Sequence, residues 1–199
     1  MTPENALNTL MTETRALIAT KRALMEFAGP LDGLSLTLPQ PHDLPVTAGL
    51  DLLMPQTAPE TAPLTFAVLA AAPHLEWQQS YSRAEVGAHY LDNYGWFNLV
   101  GPDGPFIAED LRISFGVWGQ GLTYPRHWHA PEEIYCVLAG GARFLADGRD
   151  PVEAGPGTLV HHPPNLPHSM EMHAAPLLAV AVWKGAGLTA KPGIDAPGG

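Results

Sequence analysis

One short stretch of the sequence brings together side chains that bind metals. It contains His127, His129 and Glu133, with Tyr135 two positions further on. Side chains of a β-strand alternate between its two faces, so these four residues point to one side if the strand resumes in phase after Pro131. Buried together without a partner, they would cost several kcal/mol. A divalent cation satisfies them, and Zn, Fe, Mn, Co and Ni all suit imidazole and carboxylate ligands.

The spacing of these residues carries more information than their types. An isolated His-x-His pair is usually a pair of surface or hydrogen-bonded strand residues. Here the full pattern is Gly121-x5-His127-x-His129-x3-Glu133-x6-Gly140, which matches the first motif of the cupins at every position. The pattern therefore predicts a metal site inside a β-barrel, where the side chains converge.

A fourth metal ligand is expected from a later strand. His168 follows a Pro-Gly turn at 155–157 and the proline-rich segment 163–167, an arrangement that resembles the second cupin motif. The usual spacing before the turn and the Asn after the histidine are absent. His168 is therefore the predicted fourth ligand, with His161 and His162 as alternatives.

The first part of the chain, residues 1–93, is predicted to be mainly helical. Apolar residues recur at helical spacing after Thr2, a good N-cap residue, and the pattern stops at Gly29-Pro30. A second helix is expected over 83–93. Between these helices prolines are frequent, and the apolar run at 64–72 is either a helix or a strand.

From Tyr94 onward the sequence changes character. Short runs rich in Val, Ile, Phe and Trp alternate with Gly-Pro, Asp-Gly and Pro-Gly turns, a pattern typical of β-sandwiches and barrels. We therefore predict a mainly β chain with the cupin (jelly-roll) barrel over 94–185 and an α-helical layer before it. Residues 186–199, small and rich in Gly and Pro, are predicted to form a flexible tail. No linker is visible, so residues 1–199 count as one domain.

Composition excludes several classes of function. The formal net charge is −10, and the sequence has no Lys/Arg cluster to neutralise phosphates, so neither nucleic acid nor an anionic membrane surface is an expected partner. A small neutral or zwitterionic ligand suits this charge better. With Cys136 as the one cysteine, and with no signal segment or run of eighteen apolar residues, we expect a cytoplasmic protein.

Beyond the metal motif, the sequence resembles the cupin-type dimethylsulfoniopropionate (DMSP) lyases. The resemblance covers roughly Trp77 to Trp183 and depends on the segment YGWFNLVGPDGPF and on Tyr124 and Tyr135 around the motif. It implies cleavage of a small zwitterion, DMSP, by β-elimination into dimethyl sulfide and acrylate. It also implies one divalent metal per chain that binds the substrate carboxylate.

The resemblance also implies roles for three aromatic residues. Tyr135 is the expected general base, since a nearby cation would lower the pKa of its phenol. Tyr124 is a second phenol at the metal, a hydrogen-bonding group for the substrate or a packing residue. Trp183 is a candidate cation–π seat for the sulfonium, and the other aromatic candidates are Trp118, Trp128, Tyr90 and Tyr94.

Two other functions share the same ligands. A cupin dioxygenase would need a redox-active metal and would consume oxygen, whereas a non-catalytic cupin would bind a small ligand without forming a product. A lyase should work without oxygen and with Zn. The resemblance leaves a homodimer open.

Overall fold

The protein is described here by a computed structural model that covers residues 1–195. Its first half is helical, with α1 Pro3–Thr20, α2 Arg22–Ala28, α3 Ala62–Ala71 and α4 Arg83–Asp92, and with 3-10 helices at Pro45–Gln56 and Ala72–His74. Its second half consists of strands β1 Tyr94–Gly101, β2 Phe106–Ile107, β3 Leu111–Trp118, β4 Thr123–Trp128, β5 Glu132–Ala139, β6 Ala142–Ala146, β7 Val152–Ala154, β8 Leu159–His162, β9 His168–Met172, β10 Leu177–Lys184 and β11 Gly193–Ile194. The change from helix to strand falls at Tyr94, as the sequence predicts.

The strands form two sheets. One has the order β2-β1-β3-β10-β5-β8 and the other the order β11-β4-β9-β6-β7. Every pairing is antiparallel except that of β1 with β2. Strands distant in sequence are neighbours in both sheets, as in a jelly roll. The prediction of a cupin barrel with an N-terminal helical layer is confirmed.

The larger sheet separates two hydrophobic clusters. On β5, Ile134, Cys136 and Leu138 pack into the cluster shared with the helices. Tyr135 and Val137 belong to the cluster inside the barrel. Because both faces of this sheet are covered, its strands are almost continuously apolar instead of alternating with polar residues. The alternation predicted for Tyr135 and Cys136 is confirmed.

The helical layer differs from the prediction at two helices. The helix expected over 83–93 is interrupted at Gly87, whose backbone is not helical (φ 79°, ψ 165°). The first helix was expected to run unbroken to Gly29, but Lys21 has an extended backbone and separates α1 from α2. The break lies at no Gly or Pro, so the local sequence gives no signal for it. After it, Leu24 is completely buried in the helical core. The run at 64–72, for which helix and strand were equally expected, lies in helix α3.

The end of the described chain also differs from the prediction. Residues 186–199 were expected to form a flexible tail, yet up to Asp195 this segment packs on the barrel. Leu188 is buried, and β11 pairs with His127 and Trp128 of β4. Two hydrogen-bonded residue pairs and a buried leucine outweigh the local Gly/Pro content. Residues 196–199 lie outside the described part of the chain.

Candidate active site

Three buried histidines inside the barrel are oriented in the same way. Each places its Nδ1 atom against a backbone carbonyl oxygen two residues away: His127 against Pro125 at 2.9 Å, His129 against Pro131 at 2.9 Å and His168 against Leu166 at 2.8 Å. A carbonyl oxygen only accepts hydrogen bonds, so Nδ1 carries the proton. In the neutral ring, Nε2 then has a free lone pair, the state in which imidazole binds metals.

Two of these histidines aim Nε2 at the same carboxylate. His129 Nε2 lies 3.2 Å and His168 Nε2 3.5 Å from Glu133 Oε2. Ligand atoms of these three buried residues all lie within 4.8 Å of one another. A proton on His129 satisfies one contact, but His168 Nε2 has no hydrogen-bond partner among residues 1–195. A cation between the three atoms satisfies all of them, so this donor set fits a divalent metal.

The charges of the group favour an ionised carboxylate. Burial raises the pKa of Glu133, but the charge of His129 and hydrogen bonds from the surrounding imidazoles outweigh it and hold this pKa well below its usual value. Burial lowers the pKa of His129, yet the adjacent Glu133 carboxylate raises it above its usual value. Burial lowers the pKa of His127 well below normal. The site therefore contains a buried carboxylate whose negative charge can be neutralised either by a proton on His129 or by a metal cation.

His127 lies beside this group and belongs to the same row of β4 and β9. It pairs with His168 across the two strands, and their ring centroids are 4.1 Å apart. Its imidazole stacks on Tyr124 at 3.8 Å, with 14° between the rings. Thus the four predicted ligands meet in one place, with His129, Glu133 and His168 closest together.

The two alternatives to His168 face opposite sides of β8. His161 is half-exposed, and its Nε2 lies 2.7 Å from Glu132 Oε1 on the outer face of the sheet. His162 is buried, and its Nδ1 lies 3.0 Å from Glu133 Oε2. Burial lowers the pKa of His162. His162 thus contacts the carboxylate of the site, whereas His161 is outside the barrel.

The group opens onto a cavity of about 290 Å³. Its wall includes Glu133 and Tyr135 together with Trp96, Arg112, Trp118, Tyr124 and Trp183. All five tyrosines of the chain belong to the cluster inside the barrel. The hydroxyl groups of Tyr81 and Tyr124 are hydrogen-bonded to each other at 2.9 Å. The cavity is thus polar at the histidine group and aromatic around it.

Burial also governs the phenols of this wall. Burial, and then the negative charge of Glu133, raise the pKa of Tyr135 well above its usual value. Burial likewise raises the pKa of Tyr124 well above normal and that of Tyr94 to about 12. Without a cation nearby, all three are therefore neutral hydrogen-bonding groups at physiological pH.

Trp183, the predicted cation–π seat for the sulfonium, makes two other contacts at the site. It lines the cavity, but its indole N–H donates to Glu133 Oε1 at 2.5 Å. Its ring stacks on His129 with centroids 4.2 Å apart, and the guanidinium carbon of Arg112 lies over it at 5.2 Å. Trp183 therefore already serves as a hydrogen-bond donor and already has a cation against its ring.

Comparison with known proteins assigns this arrangement to a family. A sequence profile of the dimethylsulfoniopropionate lyases matches residues 32–179. The chain belongs to the DMSP lyase family. It is 33% identical over 180 residues to dimethylsulfoniopropionate lyase DddQ of Ruegeria pomeroyi, covering 90% of each chain. The family resemblance and the class of enzyme, a carbon–sulfur lyase, are confirmed.

Solved structures of DMSP lyases have the same fold over almost the whole chain. The crystal structure of DddQ from Ruegeria pomeroyi DSS-3 superposes with a TM-score of 0.92 at 33% identity and covers 98% of both chains. A chain from crystal structures of the DMSP lyases RdDddP and RnDddQII superposes with a TM-score of 0.94 at 36% identity and covers 98% of this chain and 100% of that one. The helical layer is therefore shared with these lyases, as well as the barrel.

Several residues at the site of this DMSP lyase were not predicted from sequence. The sequence motifs contain no signal for Arg112 or Tyr81, and they indicate His162 only as an alternative metal ligand. Residues 189–192 line the cavity although they were assigned to a flexible tail. The sequence indicates only that His161 and His162 face opposite sides of their strand, because neighbouring strand residues alternate between the two faces.

None of the helices within residues 1–195 is long and apolar enough to span a membrane.

Proposed function

We propose that this lyase cleaves DMSP by β-elimination into dimethyl sulfide and acrylate. The main support is a buried imidazole and carboxylate group that opens onto an aromatic cavity, in a chain that belongs to this enzyme family. DMSP carries one negative and one positive charge. A cation-binding group beside aromatic rings suits the two ends of such a substrate.

His127, His129, Glu133 and His168 would hold one divalent metal. The Nε2 lone pairs and the ionised carboxylate support this assignment, and they suit Zn, Fe, Mn, Co or Ni equally. When bound, the metal supplies a Lewis acid for the substrate carboxylate and a positive charge beside Tyr135. Glu133 and the histidines keep their buried positions because each is hydrogen-bonded to a neighbour.

Tyr135 would act as the general base. Its phenolate oxygen takes the proton from the carbon next to the carboxylate, and that electron pair forms the double bond of acrylate. The bond between the β-carbon and sulfur breaks, and its electrons leave with sulfur as neutral dimethyl sulfide. Because burial and Glu133 raise the pKa of Tyr135, the base role requires a cation that offsets both effects.

The sulfonium would lie against the tyrosine-rich side of the cavity. Trp183, the predicted seat, already donates to Glu133 and has Arg112 over its ring. Tyr94, Trp118 and Tyr124 line the same cavity, with ring centroids between 5.7 and 5.8 Å apart. Aromatic faces attract a cation, and the cation–π contacts of Arg112 within residues 1–195 are with Trp96 and Trp183 instead.

The test is detection of dimethyl sulfide in the headspace and of acrylate in solution after purified protein is mixed with DMSP. We expect both products in equal amounts, loss of activity with a chelator and recovery on adding metal back. His129→Ala and Glu133→Ala should lose metal and activity together. His161→Ala is the matched control, because it removes an imidazole outside the barrel and should retain both.

Oxygen and metal identity distinguish the other functions. A lyase should give the same rate under anaerobic conditions and should accept redox-silent Zn²⁺. Consumption of oxygen would favour a dioxygenase, and binding of DMSP without product would favour a non-catalytic cupin. Elemental analysis that finds no stoichiometric divalent metal after metal-supplemented expression would disprove the metal centre.

A further inference from the structure

One transverse row of the larger sheet passes through the site. Backbone pairing aligns Arg112 of β3 with Trp183 of β10, Trp183 with Glu133 of β5, and Glu133 with His162 of β8. Side chains of paired residues point to the same face of a sheet, so these four follow one another along the inner wall of the barrel. Glu133, in the middle of the row, is fully buried.

The neighbours of Glu133 in this row hold its two oxygens separately. Trp183 donates its indole N–H to Oε1 at 2.5 Å, and His162 places Nδ1 3.0 Å from Oε2. A carboxylate held at both oxygens cannot rotate about its last bond without losing a hydrogen bond. The Oε2 atom that faces His129 and His168 is thereby kept in place.

His162 differs chemically from His127, His129 and His168. In those three, Nδ1 faces a backbone carbonyl oxygen, whereas the Nδ1 of His162 faces the Glu133 carboxylate. An ionised carboxylate only accepts, so His162 must carry its proton on Nδ1 and donate it. A protonated Nδ1 cannot bind a metal. Its other ring nitrogen, Nε2, has no hydrogen-bond partner among residues 1–195, as in His168, but it lies outside the group whose ligand atoms are within 4.8 Å of one another.

We infer that His162 is a positioning residue for the metal site, which fixes Glu133 Oε2 through its Nδ1–H and contacts neither metal nor substrate. Its imidazole stacks on His168 with centroids 3.8 Å apart and 20° between the rings, so it also limits the rotation of that ring. Groups that orient metal ligands in this way typically contribute about 10–100-fold to metal affinity. This inference rests on the metal centre of the proposed function.

The test compares two replacements of His162 that differ in one property. Asn places an amide N–H close to the position of the histidine Nδ1–H, whereas Leu has a similar bulk and no donor. The dissociation constant of Zn²⁺ is measured on metal-loaded protein by competition with a chelator. We expect His162→Leu to weaken Zn²⁺ binding by about 10–100-fold and His162→Asn to restore most of the affinity.

His161→Leu is the matched control on the same strand. His161 has the same chemistry and makes the equivalent contact with Glu132, but on the outer face, so its replacement should leave Zn²⁺ affinity unchanged. His168→Leu should weaken binding more than His162→Leu, because it removes a ligand. Melting temperatures of the metal-free variants show whether any of them has lost its fold.

Each outcome bears on a distinct claim. If His162→Leu binds Zn²⁺ as tightly as the unaltered protein, the positioning role is wrong while the metal centre stands. If the Asn and Leu variants are equally weak and both are folded, the N–H donor is not the cause and the inference fails. If the unaltered protein binds no stoichiometric Zn²⁺, the metal centre of the proposed function fails, and the inference fails with it.

Discussion

Replacing Tyr135 with Phe tests the proposed base with little disturbance of the barrel. The Tyr135 ring packs against Phe144, His162 and Trp118 at centroid distances of 5.6, 5.9 and 6.4 Å, and Phe retains all of these contacts. Only the hydroxyl, which lines the cavity, is removed. A lost hydrogen bond costs about 1 kcal/mol, so we expect a small change in the free energy of unfolding and unchanged metal content.

The loss should appear in kcat. General bases typically contribute about 10²–10⁴-fold, which corresponds to about 2.7–5.4 kcal/mol of transition-state stabilisation. Proton removal belongs to the transition state, and the ring that contacts the ground-state substrate is retained. KM should therefore change little while kcat falls. The effect on catalysis is thus expected to exceed the effect on stability severalfold in free energy.

The assay measures kcat, KM and metal content on one preparation, with Tyr124→Phe as the comparison. Tyr124 is also a buried phenol of this wall, but its hydroxyl is bonded to that of Tyr81 at 2.9 Å. Its loss should cost stability more than rate. A Tyr135→Phe variant that keeps most of its kcat would refute the base role and make Tyr124 the next candidate. Loss of metal together with activity would show that the phenol is chiefly a ligand.

Three further predictions concern the fold around the site. The two motif glycines should differ in their tolerance of alanine, as measured by urea unfolding. Gly121 lies in open space at a φ of 65°, so Gly121→Ala should lower the free energy of unfolding by about 1–2 kcal/mol. Gly140→Ala would place a Cβ against the Pro176 carbonyl oxygen and should abolish folding. Burial raises the pKa of Cys136 to about 11, so alkylation of this one thiol should be negligible in native protein and complete in denaturant. Removing metal with a chelator should lower the melting temperature. Relative to protein at a free metal concentration of 100 times Kd, the free energy of unfolding should fall by about 2.7 kcal/mol.

Much of the candidate site could be predicted because four of its residues lie close together in sequence. His127, His129, Glu133 and Tyr135 needed only strand alternation and an in-phase turn at Pro131, and β5 resumes with Tyr135 facing inward and Cys136 facing the helices. These are local properties of the chain. Tertiary packing decided where local signals were weak, as at Lys21, where the first helix breaks without Gly or Pro.

The alignment of the residues that support the site could not be predicted, because it depends on which strand residues pair. Arg112, Trp183, Glu133 and His162 form one row only through the registers of three strand pairs that are distant in sequence. A shift of β8 by one residue in its pairing with β5 would turn His161 into the barrel and His162 out of it. The local sequence around these two histidines is compatible with either register. A linear motif therefore predicts candidate metal ligands, three of which lie within residues 127–133, but not the groups that hold those side chains in place. In this lyase the orientation of Glu133 depends on sheet register as much as on the motif itself.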